Sequence, residues 1–286
     1  MNYLRHFGLR EPPFGITPDT HYFYACRSPQ EALNTLLVAV GNGEGFIKIT
    51  GEVGTGKTLL CRKFLATLGD GWVTAYVPNP NLDPRSILLV VAEELGLTIE
   101  PATEQYQIMR AITRALLDRA RARQRVVLCM DEAQAMSHEA LETVRLLTNL
   151  ETEKRKLIQV VLFAQPELDR KLQSPSLRQL LQRITFQHRL LGLAADELKG
   201  YLAHRLTIAG STREFPFTSS AVGAIHRASR GIPRLVNVIS HKALLVVFGE
   251  GGRRAGRRHV EAASHDTPAA APLGRWWLPR LGRALD

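Results

Sequence analysis

The stretch Gly51-Glu52-Val53-Gly54-Thr55-Gly56-Lys57-Thr58 reads G-x-x-x-x-G-K-T. Glycines at this spacing let a loop curl until successive backbone N–H groups point at phosphate oxygens. The Lys57 ammonium then supplies a point charge for the β- and γ-phosphates, and the Thr58 hydroxyl is placed to ligate Mg²⁺. With Leu59, these residues form the candidate nucleotide cradle, and the chemistry implied is binding of ATP with Mg²⁺. A second constellation lies downstream. Val126-Val127-Leu128-Cys129-Met130 is a continuous apolar run that ends in Asp131-Glu132. Two carboxylates at the end of a buried strand after a P-loop form the Walker B pattern. Asp131 is expected in the Mg²⁺ shell, and Glu132 is expected to polarise the attacking water as base.

Two further polar residues are candidates. Gln165 follows the apolar run Leu157 to Phe163 and Ala164. Its amide either orients the lytic water or contacts the γ-phosphate, or it simply caps the helix after Pro166. Arg234 stands in Gly231-Ile232-Pro233-Arg234, where Pro233 suits the first turn of a helix. A cation at a helix start is unfavourable. The placement makes sense if Arg234 points to a phosphate, and otherwise Arg234 is a surface arginine.

These residues need elements to hold them. Gly45 to Thr50 reads as a strand before the P-loop, and Leu59 to Leu65 as the helix after it, which is the context the motif requires. Trp72 to Val77, Val126 to Met130, Leu157 to Phe163 and Ile184 to Leu190 read as further strands. Helices are expected over Gln30 to Val40, Pro84 to Leu95, Thr103 to Arg123, from Ser137 as N-cap, and over Leu177 to Arg183. Strands alternating with helices over 45–190 argue for βαβ units and a parallel sheet. From Ala194 onward no strand is evident, and Asp196 to Ala209, Ser219 to Ser229 and Ile232 to Phe248 read as helices. The expected fold is α/β: a P-loop NTPase with a parallel five-stranded sheet flanked by helices, followed by a small all-helical lid. The expected domains are a strap over 1–27, the nucleotide-binding domain over 28–192, the lid over 193–263 and a disordered tail over 264–286.

The strap is dense in prolines and aromatics, which argues against a helix there. It either packs on a domain surface only, or it brings Phe14 or Ile16 to the adenine. The tail is Ala/Pro-rich before Arg275-Trp276-Trp277-Leu278-Pro279-Arg280. It reads as a flexible segment, with rest at a membrane surface as the alternative.

The composition excludes several classes. The chain has 286 residues, is 45% hydrophobic and carries a net charge of +10. The three cysteines, Cys26, Cys61 and Cys129, have no metal-ligand spacing and suggest no disulfide framework. The N-terminus lacks the apolar core of a signal peptide, and no run is long enough for a membrane helix. A cytoplasmic protein, peripheral at the inner membrane at most, is the expectation. The basic balance permits an acidic partner. Arg119, Arg121, Arg123 and Arg125 close one helix, but alternate helical positions face different sides, which favours a solvated end over a nucleic-acid stripe.

The motifs together resemble an AAA+ ATPase, and more narrowly the ExeA/GspA family of secretion and pilus-assembly ATPases. The resemblance rests on Phe7 to Phe14 with Thr17-Pro18-Asp19, on Gly43 to Phe46 with the P-loop, and on Asp131-Glu132-Ala133-Gln134. It also rests on Arg145 to Glu151, Gln165-Pro166-Glu167-Leu168 and Leu177 to Ile184. It covers about residues 1 to 263 and is similar to the branch that serves mannose-sensitive haemagglutinin (type IV) pilus biogenesis. Pro29 and Ala164 depart from the family pattern without touching the phosphate chemistry. Relatives of the ExeA type continue into a membrane helix and a peptidoglycan-binding domain, which this sequence does not contain, so direct cell-wall binding is not expected.

The resemblance implies ATP hydrolysis, assembly into a homo-oligomer (ring or dimer), and envelope secretion or pilus-assembly proteins as partners, including an inner-membrane one. It also implies that Arg183, at the end of the short basic helix, faces the γ-phosphate of the neighbouring subunit, with Arg178 as the alternative. A DNA-associated AAA+ switch, such as a transposition regulator, is the competing class. No helix-turn-helix reader is evident for it. A kinase lacks an acceptor domain, and no N-K-x-D guanine reader supports a GTPase.

Overall fold

The computed structural model describes residues 3–152 and 155–273. The chain divides into two units: residues 18–191, and residues 1–17 together with 192–286. The expected strap over 1–27 is therefore not one piece. Its first part folds with the helical unit and its last part with the α/β unit.

The α/β unit is built on five parallel strands: β1 Phe46–Gly51, β2 Trp72–Val77, β3 Arg125–Met130, β4 Gln159–Ala164 and β5 Ile184–Leu190. Their order across the sheet is β2-β3-β4-β1-β5. All six residues of β1 and of β4 are buried, whereas the edge strand β5 alternates half-buried and exposed positions. This is the pattern of a parallel sheet covered on both faces, where only central strands must be apolar throughout. Side chains separate with period two. Ile47, Ile49, Val127, Cys129, Val161 and Phe163 face one layer, and Leu128, Met130, Val160 and Leu162 face the other.

The first layer is α2 Arg27–Gly41 and α3 Lys57–Thr67, which contribute Leu33, Leu36, Leu60 and Phe64. The second is α4 Pro84–Glu94, α5 Gln105–Arg121, α6 His138–Leu147, α7 Glu167–Leu172 and α8 Arg178–Arg183. Ile87, Val91, Ile108, Ile112, Leu141 and Val144 supply its core. Helix starts follow the capping rules. Asp83 accepts from the N–H groups of Arg85 at 3.0 Å and Ser86 at 3.1 Å, with Pro84 at the first position of α4. Ser137 caps α6 through Ala140 N at 3.1 Å, as expected.

One strand differs from expectation. Leu157 and Ile158 precede β4 instead of opening it. A short antiparallel ribbon, Glu151–Thr152 with Arg155–Lys156, uses up the chain before them, and Leu157 N donates to Leu150 O at 2.9 Å to close it.

The second unit holds α1 Tyr3–Phe7, α9 Glu197–Ile208, α10 Ser219–Ser229, α11 Pro233–Gly249 and α12 Arg257–His265. Two of these correct the sequence reading. The prolines begin only at Pro12, so α1 forms ahead of them and seats Phe7 as a buried side chain. The expected disorder from residue 264 does not hold for the described part of the tail. Val260 and Ala263 are buried along α12, Thr267 is buried beyond it, and Ala271 N donates to Ala228 O at 2.7 Å. An Ala-rich composition is as compatible with a docked helix as with a linker, and the apolar pair on one face decides. Residues 274–286, with the Arg/Trp motif, lie outside the described residues.

Candidate functional site

The strand order puts β3, β4 and β1 side by side. The P-loop follows β1, Asp131-Glu132 follows β3 and Gln165 follows β4, so all three leave the sheet at one carboxyl edge. Neighbouring strands lie about 4.8 Å apart. This is the crevice where open α/β sheets bind ligands. No contiguous motif spans it, and the fold assembles it from three separate segments.

The P-loop is curled as the glycine pattern requires. Gly54 and Gly56 have φ of +83° and +98°, a region that favours glycine. Gly51 is needed for a different reason: a Cβ there would stand 2.8 Å from Thr55 Oγ1 and 3.0 Å from Leu190 O. Lys57 is buried, and its Nζ donates to Gly51 O at 2.8 Å and Glu52 O at 3.1 Å. Burial lowers the Lys57 pKa, opposed by the nearby charges of Glu132 and Asp131. Thr58 opens α3 and its Oγ1 donates to Asp131 Oδ2 at 2.5 Å. Glu52 and Val53 are exposed on the outer turn of the loop, and Thr55 is buried, with its Oγ1 donating to Glu52 O at 2.8 Å. Leu59 is half-buried in the first turn of α3.

Asp131 is 2% exposed, and burial pushes its pKa up against the hydrogen bond from Thr58. Two adjacent hard oxygen donors, one a buried carboxylate held under desolvation stress, suit Mg²⁺. Glu132 has φ of +52°, a left-handed conformation that costs a non-glycine residue about 1–3 kcal/mol. The turn over-determines it. Glu132 N donates to Asp131 Oδ1 at 3.0 Å, and Ala135 N donates to Glu132 O at 2.9 Å. The Glu132 side chain accepts at Oε2 from Gln165 Nε2 at 3.0 Å and from Gln134 Nε2 at 2.5 Å. Burial would raise its pKa, but these two amides and the Lys57 charge more than offset that and leave it below the usual carboxylate value.

Thus Lys57, Thr58, Asp131, Glu132 and Gln165 are brought together. Gln165 does not cap α7 through its side chain; its amide goes to Glu132, and the first turn of α7 has no side-chain cap. Arg183 is not at this edge. Ile184 pairs with Phe46 at the start of β1, while Leu190 pairs with Gly51 at its end. A strand of this length spans about 20 Å, so Arg183 stands at the opposite edge of the sheet from its own P-loop. It is half-buried, and its Nη1 donates to Thr148 Oγ1 at 3.4 Å. Arg178 is exposed.

Arg234 belongs to the helical unit and is exposed in the first turn of α11. The glycine before it is structural: a Cβ on Gly231 would sit 2.2 Å from Leu193 O, and Leu193 N donates to Gly231 O at 2.8 Å. Phe14 does not offer a free ring for a base. It is buried in the helical unit with its ring centroid 6.0 Å from that of Phe217. Ile16 is exposed.

Sequence reasoning gave no role to Gln134 or Lys171. Lys171 Nζ donates to Gln134 O at 2.7 Å and Met136 O at 2.6 Å. Lys48, buried in β1, pairs with Asp169 of α7 at 2.5 Å. A lysine in the middle of an otherwise apolar strand was the available signal for the second pair, because a buried ammonium demands a partner.

Comparison with known proteins agrees with this geometry. A family model described as an AAA domain matches residues 40–172. General secretion pathway protein A of Aeromonas hydrophila is 39% identical over 274 residues, which is 96% of this chain and 50% of that protein. The chain thus spans about half the length of the curated relative it matches. Among solved structures, Cdc6p from Pyrobaculum aerophilum is similar with a TM-score of 0.66 at 19% identity, covering 87% of this chain and 70% of that one. The ORC2 protein of Aeropyrum pernix, in ADPNP–ADP complexes, gives 0.63 at 18%, covering 89% and 73%. The RuvB Holliday junction branch migration motor of Thermotoga maritima gives 0.54 at 16%, covering 83% and 68%. At these identities the structures speak for the fold alone.

Proposed function

The chain belongs to the AAA+ ATPases and is a homologue of general secretion pathway protein A, and from that premise we propose that it binds Mg²⁺–ATP at Gly51–Leu59 and hydrolyses it to drive or regulate assembly of an envelope secretion or pilus system. The observation that carries the reading is the single edge at which Lys57, the Thr58–Asp131 pair and Glu132 meet. Bound Mg²⁺ would be held by Thr58 and Asp131 and would neutralise charge on the phosphates. The protein's own part is then clear. The P-loop N–H groups and Lys57 orient the phosphates, and ionised Glu132 takes a proton from the attacking water. Gln165 holds that carboxylate.

Arg183 lies far from its own P-loop, and the family resemblance gives it a role toward a neighbouring subunit in a ring or dimer. Arg234 is assigned a phosphate contact as well. The finer reading, that the machine is a mannose-sensitive haemagglutinin (type IV) pilus and that the chain is of the MshM type, rests on the sequence resemblance. No helix among the described residues is long and apolar enough to cross a membrane. On the family resemblance, an inner-membrane partner recruits the protein as a peripheral subunit from the cytoplasmic side.

The test is a Mg²⁺-dependent ATPase assay over a range of protein concentrations, with Glu132→Gln as a trapping variant for co-purification from envelope fractions. Activity that requires Mg²⁺ and capture of secretion or pilus components are expected. Absence of Mg²⁺-dependent turnover at every concentration overturns the reading. A DNA-associated ATP switch is the second reading, favoured by the net charge of +10. The arginines at and just after the end of α5 speak against a common stripe: Arg119 bonds Gln124, Arg121 pairs with Asp118, and Arg125, which opens β3, bonds Gly41 O. A steep salt dependence of duplex DNA binding would support the switch.

A further inference from the structure

The catalytic edge contains a closed triangle of side chains. Gln134 uses both ends of its amide. Its Nε2 donates to Glu132 Oε2 at 2.5 Å, and its Oε1 accepts from Gln165 N at 2.9 Å. Gln165 Nε2 returns to the same Glu132 Oε2 at 3.0 Å. A side-chain amide donates from its nitrogen and accepts at its oxygen at once. A leucine here could do neither, and a glutamate could not donate. Both bonds fall on Oε2, while Oε1 takes no hydrogen bond from any described residue. One oxygen of the carboxylate is thus anchored and the other is left to meet water.

The turn that carries this triangle is itself fastened. Lys171 of α7 donates to the backbone oxygens of Gln134 and Met136, the middle and the end of that turn. One turn-half earlier on the same helix, Asp169 pairs with Lys48 of β1. Lys48 lies three residues before Gly51, where the P-loop begins. Helix α7 therefore braces the P-loop strand and the Glu132 turn against each other. A surface lysine would have kept its ammonium in water. This one spends two donors on main-chain carbonyls beside a residue in left-handed backbone conformation.

We propose that Gln134 and Lys171 are positioning residues for ATP hydrolysis: Gln134 ties the Glu132 carboxylate to the Gln165 segment, and Lys171 holds the turn that presents both. This rests on the reading of Glu132 as the general base. Neither residue belongs to the P-loop or to the Thr58–Asp131 pair, and their bonds go to Glu132, to Gln165 and to the turn itself, so their loss is expected to act on turnover and not on nucleotide affinity. A misplacement on the order of an ångström at a catalytic group lowers rate by as much as about a hundredfold.

The experiment is steady-state hydrolysis of Mg²⁺–ATP by the full chain, with kcat and KM resolved, alongside the Kd of a fluorescent ATP analogue and a thermal melt. Gln134→Leu and Lys171→Met are each expected to lower kcat by about tenfold or more, with KM and Kd within about threefold of the parent. Lys171→Arg, which keeps a cationic donor, restores most of kcat. Gln134→Leu combined with Gln165→Leu loses little more than the larger single loss, because both act through one carboxylate. If Gln134→Leu melts early, Gln134→Glu, the same shape without the donor, reads the same loss of kcat. A kcat unchanged or raised in both Gln134 variants and in Lys171→Met overturns the inference, as does a loss confined to Kd. Glu132→Gln separates the two levels. If it turns over normally, the general-base reading itself falls; if it is dead while the Gln134 and Lys171 variants are unaltered, only the positioning inference falls.

Discussion

The two edges of the central sheet are built differently. At the carboxyl edge the site residues meet one another. Lys57 folds onto loop carbonyls, Thr58 meets Asp131, and Glu132 is held by two amides. At the amino edge Arg183 makes, among the described residues, one long bond to Thr148, its charge adds to that of Lys156 in lowering the Glu151 pKa, and it is half-buried. A network that closes on itself needs only its ligand. A guanidinium has five donors, and this one leaves most of them for solvent or a further partner. The carboxyl edge thus gathers the candidate nucleotide site, whereas the amino edge presents a cation that, on the proposed reading, serves a second copy.

The strongest way to break this comparison is Arg183→Ala. A trans arginine stabilises charge that grows in the transition state and contributes roughly 10³–10⁵ in rate. The variant should bind ATP, hydrolyse slowly at every protein concentration, and regain partial turnover when mixed with Lys57→Ala, whose subunits can lend their Arg183. Wild-type activity per subunit should rise with concentration. Flat activity in the wild type together with full activity in Arg183→Ala would sink the trans role.

Glu132→Gln comes next. An amide cannot take the proton from water, so turnover should fall by roughly 10²–10⁴ with ATP affinity kept. Lys57→Ala should act on affinity instead. Loss of a charge-assisted phosphate contact costs on the order of 1.5–3 kcal/mol or more, which is about 10- to 150-fold in Kd. Normal ATP binding by a folded Lys57→Ala protein, measured by calorimetry, would remove the P-loop from the site.

Much of the carboxyl edge was legible in the sequence because its main parts are local. The P-loop is eight consecutive residues, and Asp131-Glu132 directly follows an apolar run. The central strands announce themselves because burial on both faces forces continuous apolar stretches. The contacts among the parts were not legible. Lys171 is 35 residues from Met136 and 37 from Gln134, and no periodicity links them. The fate of Phe14 was equally hidden, since its partner Phe217 lies at the other end of the chain. Helix α12 was missed because an Ala- and Arg-rich stretch reads as a linker until Val260 and Ala263 are seen to share a buried face.

The smallest expected effect sharpens the comparison most finely. Thr148 is 1% exposed, and its Oγ1 donates to Arg145 O at 2.8 Å while accepting from Arg183 Nη1 at 3.4 Å. The first of these bonds is well formed, and the second is at the limit of a useful length. If the amino edge is an unfinished half-site, Thr148 only rests the guanidinium between subunit encounters. Thr148→Val keeps the shape of the side chain and removes the hydroxyl. It should cost about 0.5–1.5 kcal/mol of stability, because the hydroxyl bond to Arg145 O is lost while the backbone N–H of residue 148 still reaches that oxygen at 3.1 Å. It should change hydrolysis by no more than about fivefold, because the resting contact contributes at most about 1 kcal/mol. The rise of activity with protein concentration should be retained. If Thr148→Val instead abolished that rise while the protein stayed folded by thermal melt, Thr148 would be setting the pose of Arg183. The amino edge would then be as pre-organised as the carboxyl edge, and the contrast between them would disappear.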